Sequence, residues 1–135
     1  MFKLHPRLEA DTLPIIKLQI SSLYLMKDAR FPWVILVPER DNLTELHHLS
    51  EKDYAIVTQE MHQIAQMMED SFSPDKINVG ALGNLVPQLH IHIIARFTSD
   101  DAWPAPVWGA GDVQPYTASA ESDMITKLQK SINSH

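Results

Sequence analysis

The chain predicts an α+β domain, a mostly antiparallel sheet with one long helix packed on it. Three segments carry that expectation. Residues 33–37, Trp-Val-Ile-Leu-Val, form a continuous apolar run rich in β-branched side chains, as a central strand buried on both faces requires. Residues 51–72 place Tyr54, Val57, Met61, Ile64, Met68 and Phe72 at steps of three and four, one apolar stripe along a helix. Residues 87–94, Pro-Gln-Leu-His-Ile-His-Ile-Ile, alternate polar and apolar with the period of an extended backbone.

Taken in order, residues 18–27 read as a strand, and Asp28-Ala29-Arg30-Phe31-Pro32 as the turn after it. Pro38 closes the strand that begins at Trp33. Ser50 with Asp53 resembles a capping box at the start of the helix, with Asp in place of Glu, and Ser73-Pro74 ends it. Residues 76–82 and 88–96 are the next two strands, joined through Gly83-Asn84, a pair that tolerates positive φ. An acidic stretch after Thr98 gives way to a Trp-, Pro- and Gly-rich excursion, and residues 119–132 form a last helix with Met124, Leu128 and Ile132 on one stripe. The order is β-β-α-β-β plus a terminal helix. The chain of 135 residues reads as one domain, with a core over about 18–109 and a C-terminal helix at about 117–133.

The net charge of −6 argues against a general nucleic-acid-binding surface but not against a small nucleotide, whose phosphate can be held by backbone N–H groups, amides and imidazoles. No apolar run approaches a membrane span, and the first residues lack the apolar core of a signal peptide. With no cysteine, thiolate chemistry is excluded. A cytoplasmic setting is the expectation.

The alternation over 87–94 puts Gln88, His90 and His92 on one face and Leu89, Ile91 and Ile93 on the other. Two imidazoles held side by side on a rigid strand can divide labour, one attacking and the other moving a proton or stabilising charge.

Gln88-x-His90-x-His92 resembles the His-φ-His-φ-His-φ-φ signature of the histidine triad (HIT) family, with Gln in the first position. Residues 32–38, ending in Val37-Pro38, resemble the family's second core strand, and residues 78–84 the strand and turn that lead into the triad. The segment Trp103-Pro104-Ala105-Pro106-Val107-Trp108-Gly109 resembles one found in a bacterial subgroup with the same Gln. The resemblance implies a HIT-like fold, a homodimer and a nucleotide ligand, with purine the expected base. It implies cleavage at the α-phosphate of a nucleoside phosphoramidate, dinucleoside polyphosphate or nucleotidyl conjugate through a nucleotidyl-histidine intermediate. No cofactor, membrane or nucleic-acid partner is expected.

On this reading His90 is the nucleophile, since a neutral imidazole with a reference pKa of about 6.5 can attack phosphorus near neutral pH. Its Nδ1 proton would be held by the backbone carbonyl of residue 88, which survives the change from His to Gln. His92 would donate a hydrogen bond or proton near the leaving oxygen. Gln88 cannot titrate, and its amide can only orient. Asn84 and the backbone of Leu85 are expected at the phosphate, Asn78 at the same site, and Asp28 on the ribose hydroxyls. Asn84, Asn78 and Asp28 each have a plainer reading as a turn or strand-edge residue, and Leu85 stands where a Ser or Thr is frequent, so that only its backbone N–H is offered. Trp33 stands where many relatives carry a supporting His, and a Trp33–Gln88 contact is expected to replace the lost His pair. Arg96 either meets a distal phosphate or is solvated. Trp103 and Trp108 either close the pocket or pack. Two alternatives stand beside the enzyme: a nucleotide-binding module with little turnover, and a metal site or structural dimer in which the His pair takes zinc with His62 or Asp28 as third ligand.

Overall fold

In the computed structural model, which describes residues 1–134, five antiparallel strands form one sheet in the order β1-β2-β3-β5-β4. The strands are β1 (Thr12–Lys17), β2 (Ser21–Met26), β3 (Trp33–Pro38), β4 (Lys76–Gly80) and β5 (Ile91–Arg96). Three α-helices join them: α1 (Pro6–Asp11), α2 (Glu51–Phe72) and α3 (Ala118–Asn133). The α+β class and the antiparallel sheet agree with the sequence reading.

Every residue of β3 is buried, as its unbroken apolar run predicts. Helix α2 has the expected bounds. The Ser50 side chain accepts from the Asp53 N–H, and Ser73 ends the helix in the left-handed region at φ 48°. The stripe differs in detail, since Tyr54 is exposed while Met67 and Glu60 are buried with Val57, Ile64 and Met68. Glu60 is tolerated there because its carboxylate accepts the backbone N–H groups of Ile20 (3.0 Å) and Ser21 (3.2 Å).

Helices α2 and α3 cover one face of the sheet. Leu23, Leu25, Val34, Leu36, Leu89, Ile91 and Ile93 meet Val57, Ile64, Met67, Met68, Leu128 and Ile132 in one core. The opposite face carries two smaller clusters, Leu8-Ile35-Val37-Val86 and Phe31-Trp33-Ile94-Val107, covered by α1 and by the excursion after β5. The histidines lie on that second face.

Residues 6–17 hold two elements that the sequence reading left unassigned. Helix α1 is only six residues long, too short to show a stripe, although Pro6 at its first turn is a start signal. Strand β1 contains Pro14, which reads against a strand. It is accommodated because β1 is an edge strand with an irregularity between Pro14 and Ile16. Strand β5 also begins later than expected, at Ile91. Its ladder with β3 ends at the Leu36–Ile91 pair, and the Leu89 N–H turns instead to the Leu43 carbonyl at 2.9 Å.

Candidate active site

His90 lies one residue before β5, and His92 is its second residue. Their rings sit 4.9 Å apart in an edge-to-face arrangement. Both are shielded, at 7% and 5% exposure, yet both line a cavity of about 360 Å³. Leu8, Met26, Trp33, Val86 and Trp108 give it an apolar body, and Asn84 and Leu85 form its rim on the turn that Gly83 makes at φ 68°.

The two imidazoles are held in opposite tautomers. His90 Nδ1 is 2.8 Å from the Gln88 carbonyl oxygen. A carbonyl only accepts, so Nδ1 carries the proton, and the neutral ring keeps its lone pair on Nε2. Around His92 the roles reverse. Trp33 Nε1–H donates to His92 Nδ1 at 2.9 Å, and an indole N–H cannot accept. The His92 proton is therefore on Nε2. Burial, with His90 beside it, pushes the His92 pKa down to about 3, so the ring is a neutral hydrogen-bond donor at physiological pH. The Trp108 ring packs edge-on against His92 at 5.1 Å and closes that side.

Trp33 thus partners His92, and the expected Trp33–Gln88 contact does not form. The single donor of the indole is used on His92, and both ends of the Gln88 amide are used elsewhere: Oε1 accepts from the His5 N–H (2.8 Å) and Nε2 donates to the Lys3 carbonyl (2.9 Å). Gln88 contributes its carbonyl to the site, not its side chain.

Asp28 and Asn78 are not on the cavity wall. Asp28 is buried, and its carboxylate accepts from Arg30 Nε (3.0 Å), Arg30 Nη2 (2.8 Å) and the Arg30 N–H (3.1 Å). Burial pushes its pKa up, but the Arg30 hydrogen bonds outweigh that and leave it below the usual range. A carboxylate so occupied has little left for a ribose. The Asn78 side-chain oxygen accepts from Arg96 Nη1 at 2.8 Å.

Arg96 follows neither expectation, being 1% exposed and fully engaged. It forms a fork–fork pair with Asp100 (2.8 and 3.0 Å) and donates to the Ala105 carbonyl (2.8 Å). Asp100 also accepts the N–H groups of Phe97, Ala102 and Trp103, and its pKa is lowered, chiefly by the Arg96 bond. This buried pair organises the excursion that brings Trp108 over His92. Trp103 lies near the Arg96 guanidinium at 5.7 Å and does not line the cavity. Among the described residues, no three His, Asp or Glu side chains cluster as a metal would need. Nor is any helix there long and apolar enough to cross a membrane.

Residues 7–99 match the model of the HIT domain. A histidine triad protein from Bradyrhizobium japonicum superposes with a TM-score of 0.94 at 41% identity, covering 97% of this chain and 98% of that one. One from Marinobacter aquaeolei gives 0.96 at 40% identity, over 99% and 98%. A third, from Sinorhizobium meliloti, gives 0.94 at 40% identity, over 96% of each. No functionally curated protein matches the chain.

Proposed function

The chain belongs to the histidine triad family, whose members are in general nucleotide hydrolases or transferases, and from that premise we propose that it cleaves nucleotide conjugates at the α-phosphate with His90 as nucleophile. The observation that carries this reading is the pair of opposed tautomers, a lone pair on His90 Nε2 beside a proton on His92 Nε2.

In the first step His90 Nε2 attacks phosphorus. The N–P bond forms as the bond to the leaving group breaks, giving a nucleotidyl-histidine and a leaving group that takes its proton from solvent. Water then attacks the same phosphorus and gives up its proton to solvent, the N–P bond breaks, and a nucleoside monophosphate leaves with His90 restored. Negative charge gathers on the phosphoryl oxygens and the leaving atom, and the Nε2–H of neutral His92 donates into that charge. A ring with a pKa of about 3 stays neutral and serves as a fixed donor, not as an imidazolium acid. Asn84 and the backbone at Leu85, on the cavity rim, are suited to the phosphate. The apolar body of the cavity suits a nucleobase, and purine is the preference that the family implies. Homodimerisation belongs to the same proposal. It rests on the family resemblance.

The test is turnover of adenosine 5′-phosphoramidate. The wild-type chain should release AMP, and His90→Ala should lose at least about a thousandfold in kcat while keeping its circular dichroism. AMP binding by a wild-type chain that releases no product would favour the module with little turnover.

A further inference from the structure

Gln88 does two things at once. Its main-chain carbonyl holds the His90 Nδ1 proton at 2.8 Å, and its side chain reaches to the start of the chain, 85 and 83 residues away. There the amide pairs with the Lys3 carbonyl and the His5 N–H, as a neighbouring β-strand would. An amide presents its acceptor and its donors side by side, and so can serve both backbone groups together. The nitrogens of an imidazole point apart and cannot.

The segment so held leads directly into α1. His5 caps that helix, its ring accepting the Arg7 N–H at 3.1 Å. Helix α1 in turn supplies Arg7, Leu8 and Asp11 to the wall of the cavity. Leu8 is 5% exposed and packs with Ile35, Val37 and Val86 beneath the site.

We propose that Gln88 is a positioning residue that couples ligand grip to the nucleophile: its side-chain amide latches residues 3–5 and so sets α1 as one wall of the cavity, while its carbonyl orients His90. The inference rests on the reading of this cavity as the nucleotide site. It assigns the Gln at the first triad position a purpose that His could not fill. Truncating the amide leaves the carbonyl in place, so the effect should fall on ligand binding more than on the chemical step.

The test uses the full chain with Gln88→Ala and, independently, His5→Pro. The second removes the N–H that Oε1 accepts, and with it the ring that caps α1, at a position whose φ of −55° proline tolerates. Amide exchange at His5 is the direct readout of the latch. Gln88→Ala should accelerate it about tenfold or more and raise the Kd for AMP about five- to tenfold, as expected for two lost hydrogen bonds. KM should rise by a larger factor than kcat falls. Gln88→Ala should cost less in the His5→Pro background than alone, because the Oε1 bond is already lost there and only the Nε2 bond to the Lys3 carbonyl remains to be broken. Exchange at His5 unchanged in Gln88→Ala overturns the proposal, as does a loss confined to kcat or full additivity of the two substitutions. A wild-type chain that releases no product contradicts the hydrolase reading alone, since exchange and AMP titration still decide the latch.

Discussion

The indole N–H of Trp33 donates to His92 Nδ1 at 2.9 Å, and this one bond decides which nitrogen of His92 faces a ligand as a donor. Trp33 opens β3 and His92 belongs to β5, which pair directly through the Trp33–Ile94 and Ile35–His92 positions. The bond therefore joins two neighbouring strands of a buried sheet, where neither partner has room to turn.

Trp33→Phe keeps the aromatic packing and removes the donor. His92 Nδ1 is then buried without a partner, at a cost of about 1–3 kcal/mol in stability. The tautomer is released as well, and kcat should fall by up to about tenfold, the equivalent of ~1.4 kcal/mol at the transition state. Nitrogen-15 spectra of the histidines check the tautomer directly. The His92 signals should move from a single Nε2–H form in the wild type to a mixture in the variant.

The low pKa of His92 has a consequence for stability. An unfolded histidine takes up its proton near pH 6.5, whereas the folded ring, buried beside His90, resists it until about pH 3. Between those values the unfolded chain binds more protons, so His92 lowers stability progressively as pH falls from about 6.5 toward 3 and contributes nothing above that window. The pH dependence of the urea midpoint across this range should be shallower in His92→Phe than in the wild type. Carbon-13 shifts should report His92 as neutral at pH 5, and a midpoint near 6.5 would contradict the assignment.

Asp28 should behave as a structural residue. Its partner Arg30 is only 8% exposed at the side chain, and removing the carboxylate by Asp28→Ala leaves that guanidinium buried and unpaired, a loss of about 3–5 kcal/mol. Asp28→Asn should cost less. Discrimination between AMP and 2′-deoxy-AMP should be the same in Asp28→Asn as in the wild type, and its collapse would restore Asp28 to the ribose.

What could be read from the sequence was whatever leaves a periodic or local trace. Helix α2 is legible because its apolar positions recur over 22 residues, and β3 because its burial needs an unbroken apolar run. The His90–His92 pair is legible because alternation on an extended chain fixes their common face. Strand β1 and helix α1 are not, since one is broken by Pro14 and the other is too short to show a stripe. The role of Gln88 depends on partners more than eighty residues away, beyond any local pattern. Asp28 carried a signal that was available, an arginine two residues on that could close back onto it. Arg96 and Asp100, four residues apart, carried a similar one.

The measurement that bears most directly on the chemistry is trapping of the intermediate. The chain is mixed with an activated AMP donor, quenched in alkali to preserve a phosphorus–nitrogen bond, digested, and its modified residue mapped by mass spectrometry. An AMP adduct on His90, absent from His90→Ala and still formed more slowly by Trp33→Phe, is the predicted result. An adduct on His92, or none at all from a donor that the chain demonstrably binds, would contradict His90 as the nucleophile.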